Sequence, residues 1–199
     1  MTAEHAPEAL SAAPRLPAGL TMETRDLLLR KGVLQDAGAM YRNVWSRPEA
    51  AWYMFWPLTL RPEDAQARMA RTVAFQAEHD VFTVCDRRTG EAVGWAGLQE
   101  TSPGLWEETG ICIGPDFWGR GWGRQILTLL LGLAAKLGGR VFWYSTRPEN
   151  EASRALARSC GLTYVRTDRV RDPETGETRV LERWSVPLPA GEGAETGER

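Results

Sequence analysis

Residues 110–125, GICIGPDFWGRGWGRQ, join an apolar strand pattern to a glycine-rich helix start. The apolar run ICI leads into GPDF and then into GRGWGR, in which every second residue is glycine. Glycine lets a ligand approach the backbone closely, and the free N–H groups at a helix N-terminus attract an anion. Arg120 and Arg124 add cationic side chains suited to phosphate. The segment therefore predicts a strand–turn–helix cradle for a pyrophosphate.

Two other phosphate-binding patterns fit this segment less well. A Walker loop needs Lys followed by Ser or Thr after its last glycine, where this chain has Arg124 and Gln125. A Rossmann loop needs the spacing GxGxxG, and the glycines here alternate instead. A glycine-rich turn that binds nothing is the remaining alternative.

Composition and charge describe one ordinary globular domain. The chain has 199 residues, of which 43% are hydrophobic and 25% charged, and its formal net charge is −2. We therefore expect no nucleic-acid or membrane partner. Two histidines and an odd number of cysteines (Cys85, Cys112 and Cys160) without a CxxC pair argue against metal binding and a disulfide framework. Without a long apolar run or a signal-peptide pattern, the expected location is the cytoplasm.

Hydrophobic periodicity predicts an α/β domain at residues 20–188, between flexible tails at 1–19 and 189–199. Asn150 is predicted to cap a short helix that ends at Gly161. The predicted strands are 24–30, 81–85, 92–98, 106–113, 140–145, 162–165 and 179–186. The predicted helices are 34–42, 61–76, a leucine-striped helix after the glycines, and 150–160. A turn-rich hairpin tip is predicted at 172–176.

Three motifs, in this order and spacing, carry a resemblance to a known family. TRDLLLR at 24–30 looks like an opening TERLxLR, and WGRGWG at 118–123 stands where an acetyl-CoA signature, (Gln/Arg)-x-x-Gly-x-(Gly/Ala), is found. Asn150 and Ser153, followed by CGL at 160–162, look like an NxxS…GF pattern. The chain resembles the GNAT acetyltransferase superfamily over residues 21–187, and within it the RimJ/RimL-type branch. Trp118 departs from the usual Gln or Arg.

The resemblance implies a mixed, mostly antiparallel sheet flanked by helices, splayed open between strands ending near Ile113 and Ser145. Acetyl-CoA would lie in that opening, with its pantetheine arm along the backbone of Ile111 and Ile113. No metal is implied. The implied cofactor-binding residues are Ile111, Ile113, Trp118, Gly119, Arg120, Gly121, Trp122, Gly123, Arg124, Asn150 and Ser153.

Acetyl transfer to an amine needs a proton acceptor for the amine and a proton donor for the departing thiolate. Glu108 is the first candidate for the acceptor, and a solvent-facing strand carboxylate is its alternative role. Glu107 points to the other strand face by alternation. Ser153 is the candidate donor, although it could be only a residue in the first turn of a helix. Superfamily members often use a Tyr on this helix, and residues 150–160 contain none.

Two further features concern the walls of the site. Cys112 has apolar neighbours, which raise a thiol pKa, so we expect packing rather than nucleophilic catalysis. Trp45, Trp52 and Trp56 could line the acceptor pocket or belong to the core. With Glu49 as its single acid, segment 45–60 argues against a polycationic acceptor.

These features predict an acetyl-CoA-dependent N-acetyltransferase. The expected acceptor is a primary amine, with a protein N-terminus ahead of a small metabolite, polyamine or antibiotic. A non-catalytic GNAT-fold module that senses acyl-CoA is the alternative from another class. Homodimer formation is compatible with the sequence.

Overall fold

The computed structural model describes residues 16–54, 56–171, 176 and 178–189. Within them, eight strands form one sheet in the order β1-β2-β3-β4-β5-β6-β8-β7. Every neighbouring pair is antiparallel except β5 and β6, which confirms the mixed, mostly antiparallel sheet. The strands are β1 (Met22–Glu23), β2 (Leu27–Arg30), β3 (Val81–Asp86), β4 (Ala92–Ser102), β5 (Leu105–Ile113), β6 (Val141–Thr146), β7 (Thr163–Arg171) and β8 (Thr178–Pro187).

Five α-helices of the described residues cover parts of both sheet faces. They are α1 (Ala37–Met40), α2 (Pro48–Ala51), α3 (Asp64–Glu78), α4 (Trp122–Lys136) and α5 (Glu151–Ser159). The leucine stripe of α4 is buried on the sheet because residues three and four apart share one helix face. Asn150 caps α5 as predicted, with its side-chain oxygen accepting from the Ser153 N–H at 3.0 Å.

The sheet separates two apolar cores, since successive strand residues point to opposite faces. Phe82, Leu98 and Trp106 pack with α4 on one face. Met40, Met69 and other residues of α1 and α3 pack on the opposite face. The sheet therefore presents one face to the predicted cradle helix and the other to the aromatic segment 45–56.

The sheet opens between β5 and β6, as the resemblance implied. These parallel strands pair only where residues 105–107 face residues 141–143. The Gly114 N–H donates to the Val93 carbonyl at 2.8 Å, which orients that residue toward β4. Because backbone groups alternate along an antiparallel strand, those of Ile111 and Ile113 face away from β4 and into the opening. A backbone edge on β5 is thus available to a ligand.

The structure differs from the sequence-based prediction near the N-terminus. Of the predicted strand 24–30, only residues 27–30 form a strand, β2; β1 precedes it, and residues 24–26 are the turn between them, where the Thr24 hydroxyl accepts from the Leu27 N–H at 3.1 Å. The predicted tail 1–19 includes Leu16, which is buried in the core and whose N–H donates to Asp80. The packed part of the chain therefore begins at least four residues earlier than predicted.

Most other predicted boundaries agree within about four residues. The predicted strand 162–165 is longer and extends to Arg171 as β7, and the short helix α2 was not predicted. Helix 34–42 consists of a 3-10 turn, α1 and a π-helical turn at Tyr41–Trp45. Most of the predicted hairpin tip and residues 190–199 lie outside the described residues. The domain bounds and tails therefore stay predictions there.

Candidate functional site

The glycine-rich turn at the start of α4 is shaped for an anion. Gly119 and Gly121 have φ angles of +76° and +75°, a conformation that residues with a Cβ rarely adopt. Nothing lies within 4 Å of the place where either residue would carry a Cβ. Gly121 is the N-cap of α4, so the first N–H groups of the helix have no intrahelical partner. The turn thus offers open space and donors, as the cradle prediction requires.

The remaining residues of the cradle differ in what they can contribute. A Cβ at Gly123 would lie 3.3 Å from Leu156 of α5, so this glycine permits close packing of two helices. The ring of Trp122 is buried and stacked on Phe117. The backbone N–H of Trp122 is in the first turn of α4 and can donate to a ligand. Arg120 lies over both rings, at 5.0 and 5.2 Å from their centres. Its guanidinium can therefore reach an anion in the turn from a stacked position.

Arg124 and Trp118 stand on either side of this turn. Arg124 is exposed and lines an open pocket of about 600 Å³ together with Arg120 and Gly121. The Trp118 indole N–H donates to the Ile113 carbonyl at 2.8 Å, and the ring is 51% exposed. Trp118 thus holds the turn against the end of β5 and uses one acceptor position of Ile113.

Glu108 lies where β5 and β6 separate, and its side chain bridges the two strands. Its carboxylate accepts from the Ser145 N–H of β6 at 3.1 Å, and the residue is buried. The solvent-facing alternative is therefore wrong. Burial raises the pKa of Glu108 from 4.5 to about 7, and the negative charge of Glu107 adds to the rise. A carboxyl group with this pKa can take up and release a proton near neutral pH.

Glu107 occupies the other face of β5, as alternation predicted. Its two carboxylate oxygens accept from the Arg183 guanidinium at 3.1 and 2.9 Å. Arg183 also donates to the Ser145 hydroxyl at 2.6 Å. This ion pair holds β8 against β5 below the opening and leaves Glu108 as the strand's acidic residue at the opening itself.

Ser153 and Tyr144 form a second polar pair in the opening. Their hydroxyl oxygens are 2.7 Å apart, and Tyr144 is buried. Burial raises the pKa of Tyr144, and the charge of Glu108 adds to it, so the phenol stays protonated and can donate to Ser153. Tyr144 was not among the predicted site residues, because the resemblance led us to expect a tyrosine on the helix rather than on β6. The alternation in β6 was the available signal, since Phe142 and Tyr144 share the face toward α5.

Neither a reactive thiol at Cys112 nor a metal cluster is found among the described residues. Burial raises the pKa of the Cys112 thiol to about 12, which is consistent with packing rather than catalysis. The described residues contain no cluster of three His, Cys, Asp or Glu side chains that could hold a metal ion. Each helix that the structure describes is too short or too polar to cross a lipid bilayer.

A cavity of about 830 Å³ lies on the opposite sheet face, between α3, residues 56–61 and strands β3 and β4. We call it the α3 cavity. Trp45 and Trp56 line it, and Trp45 also belongs to the core. Trp52 is not among its lining residues and is 68% exposed, so neither predicted role, pocket wall or core, fits it.

Trp95 of β4 connects the α3 cavity with the opening of the sheet. Its side chain lines the cavity, and its ring lies over Gly110 of β5, where a Cβ would collide with it. Gly110 has a φ of +126° and lies two residues after Glu108. The cavity is therefore connected, through Trp95, to the strand that carries Glu108.

Comparisons with known proteins agree with this architecture. The profile of a family described as acetyltransferase (GNAT) domain matches residues 26–163, more than half of the chain. The N-alpha-acetyltransferase RimI of Mycobacterium tuberculosis is 38% identical over 82 residues, which are 40% of this chain and 50% of RimI. The chain thus spans half the length of this curated relative.

Solved structures with lower sequence identity share the fold. A putative ribosomal-protein-serine acetyltransferase from Vibrio cholerae superposes with a TM-score of 0.71 at 22% identity, covering 87% of this chain and 100% of that one. A complex of RimL, an alpha-N-protein acetyltransferase, with coenzyme A gives 0.64 at 19% identity, covering 85% and 98%. At these identities the likeness shows the fold alone.

Proposed function

The chain belongs to the GNAT acetyltransferase family, and on that premise we propose that it acetylates the α-amino group of a protein N-terminus. Members of this family use acetyl-CoA. The observation that carries the proposal is Glu108, a buried carboxyl group with a pKa raised to about 7 where the sheet opens. The names of RimI and RimL, both protein α-amino acetyltransferases, support the choice of acceptor.

The pKa of the acceptor amine must match that of the base. A protein α-amino group has a pKa of about 7.7–8.0, so roughly a fifth to a third of it is neutral near pH 7.4. A lysine side chain, at about 10.4, is neutral in only about one molecule per thousand. A carboxyl group that titrates near 7 can accept the proton of the first amine but is poorly matched to the second.

The proton balance assigns a role to each polar pair in the opening. Acetyl-CoA supplies an activated acetyl thioester, and the amine forms a C–N bond to the carbonyl carbon as the C–S bond breaks. Glu108 accepts the proton that the amine loses. Ser153 passes its hydroxyl proton to the departing sulfur and is reprotonated from solvent, to which Glu108 later releases the proton of the amine. Tyr144 stays protonated and holds the Ser153 oxygen, 2.7 Å away, by a hydrogen bond.

The residues present fit acetyl-CoA. The open, positive-φ turn at Gly119 and Gly121 can take the pyrophosphate, with Arg120 and Arg124 beside it. The free backbone edge at Ile111 and Ile113 can pair with the pantetheine amides. Asn150 orients Ser153 by capping α5.

A CoA-release assay with varied acceptors tests the proposal. Wild-type protein is incubated with acetyl-CoA alone, with N-terminal peptides, with the same peptides blocked at the α-amine but carrying a free lysine, and with spermidine. We expect CoA release to depend on a free α-amine and to rise with pH through about 7. Turnover with spermidine alone would assign a small-amine acetyltransferase, and acetyl-CoA binding without turnover on any amine would assign a sensor module.

A further inference from the structure

Arg68 of α3 places a cation inside the α3 cavity. Its guanidinium lies over two indole rings, 4.8 Å from the centre of Trp45 and 4.7 Å from that of Trp56. One of its nitrogens donates to the Pro57 carbonyl at 2.9 Å and to the Thr59 hydroxyl at 2.8 Å. The side chain is therefore held in one orientation by two hydrogen bonds and two ring contacts.

Among the described residues, no carboxylate lies within ion-pair distance of Arg68. Burial lowers the pKa of Arg68 to about 10, and the like charge of Arg71 adds to the effect. Other partly buried arginines of this chain are paired, such as Arg30 with Asp36 at 2.8 Å and Arg183 with Glu107 at 2.9 Å. A desolvated cation without a counter-ion is unfavourable, and a bound anion would supply the missing partner.

Trp56, whose ring lies beside Arg68, carries a second unsatisfied donor. Its indole N–H is buried and has no hydrogen-bond partner among the described residues. Like the guanidinium, it is a donor without acceptor capacity. The acid at the cavity rim, Asp64, is already held by Arg61 through two bonds of 3.0 and 2.9 Å. The cavity therefore presents positive charge, from Arg68 and Arg71, on apolar walls, which suits a carboxylate.

We propose that the α3 cavity binds a carboxylate carried by the amine acceptor. This inference rests on the proposed function and narrows its substrate class. Trp95 places the cavity beside Gly110 and the opening, so the amine and the carboxylate belong to one short acceptor segment. An Asp or Glu side chain among the first residues of a protein N-terminus meets this requirement, as does a free acidic amino acid. Polyamines are excluded by like charge.

Matched peptides test the inference. A seven-residue peptide with Glu at its second position is compared with the same peptide carrying Gln or Lys there, and with free glutamate. We expect the acceptor KM for the Glu peptide to be about 10-fold lower than for the Gln peptide, as a charge-assisted hydrogen bond implies. The Lys peptide should be poorer still. Free glutamate separates the two sources of the carboxylate.

Variants then assign the preference to Arg68. Arg68→Gln should remove the Glu-over-Gln preference and leave acetyl-CoA affinity unchanged. Arg68→Lys should retain part of it, because the charge remains while the planar stacking is lost. Arg42→Gln, at an exposed arginine paired with Glu91 outside the cavity, is the matched control and should keep the full preference.

A binding measurement separates this inference from the proposed function. Tryptophan fluorescence is titrated with the N-acetylated Glu and Gln peptides, which bind without turnover, and folding of each variant is checked by thermal melting. Acetylation of all peptides with equal KM would overturn the inference and leave the proposed function intact. Tight Glu-peptide binding without acetylation of any amine would overturn the proposed function instead. If folded Arg68→Gln keeps the wild-type preference for the Glu peptide over the Gln peptide, the role of this arginine is overturned.

Discussion

The substitution Glu108→Gln should stabilise the protein at alkaline pH while it slows catalysis. The pKa of Glu108 is raised from 4.5 to about 7 in the folded state, which corresponds to about 3 kcal/mol at 1.36 kcal/mol per unit. Because the folded state binds the proton more tightly, this contribution is fully present below pH 4.5 and is lost as the pH rises through 7. Glutamine has no proton to lose, and its carbonyl oxygen can still accept from the Ser145 N–H.

The difference is measured by urea unfolding of wild type and variant across pH 4.5 to 8. The stability of Glu108→Gln relative to wild type should rise by about 3 kcal/mol over this range. Glu78→Gln, at the exposed C-terminal end of α3, is the matched control. In steady-state kinetics with an N-terminal peptide, the variant should lose about 10²–10⁴-fold in kcat and also the rise in rate near pH 7, with acetyl-CoA affinity unchanged.

Two results would refute this reasoning. A relative stability that stays constant with pH would mean that burial does not raise the pKa of Glu108. Full turnover of Glu108→Gln across pH 6 to 9 would mean that the carboxyl group only bridges β5 and β6, and that solvent removes the amine proton.

Three further variants test the rest of the site. Gly121→Glu strains a backbone at φ +75° and places a negative charge in the cradle. Acetyl-CoA affinity, measured by calorimetry, should therefore fall more than about 10-fold, or about 1.4 kcal/mol. An affinity equal to that of the wild type would contradict the cradle assignment. Tyr144→Phe should lower kcat without changing either KM, and the loss should vanish in a Ser153→Ala background; an equal loss there would show that Tyr144 does not act through Ser153. Trp56→Ala should raise the KM of the acceptor alone, because Trp56 lines the α3 cavity. Trp52→Ala, at an exposed position, should change neither the KM values nor the melting temperature. If Trp56→Ala instead leaves the acceptor KM unchanged and greatly lowers the melting temperature, its ring belongs to the core.

Short-range patterns were sufficient to predict much of the fold. Period-two and helical spacing located most of the strands and helices, because these patterns depend on which side of an element is buried. The glycines at 119 and 121 predicted the cradle because only glycine readily adopts its backbone conformation. Asn150 predicted the cap of α5 because a side chain that satisfies a helix N–H acts on its own chain neighbours.

Contacts between distant elements were decided by the tertiary structure. Whether Glu108 faces solvent or bonds to Ser145 of β6, which is 37 residues away in the chain, depends on where β5 and β6 stop pairing. Tyr144 meets Ser153 only because α5 packs on that face of β6.

In the aromatic segment 45–56, too, the tertiary structure decided what the sequence left open. The composition of this segment predicted either pocket or core, yet Trp56 lies in the α3 cavity beside Arg68 while Trp52 is exposed. In a segment with little regular structure, periodicity cannot predict which side chains are buried and which are exposed. Composition and spacing along the chain therefore determined the elements, the cradle and the family. The packing of helices and strands against one another decided the pKa of the buried base, the partner of Ser153 and the charge of the acceptor cavity, because burial and distance are properties of the assembled fold.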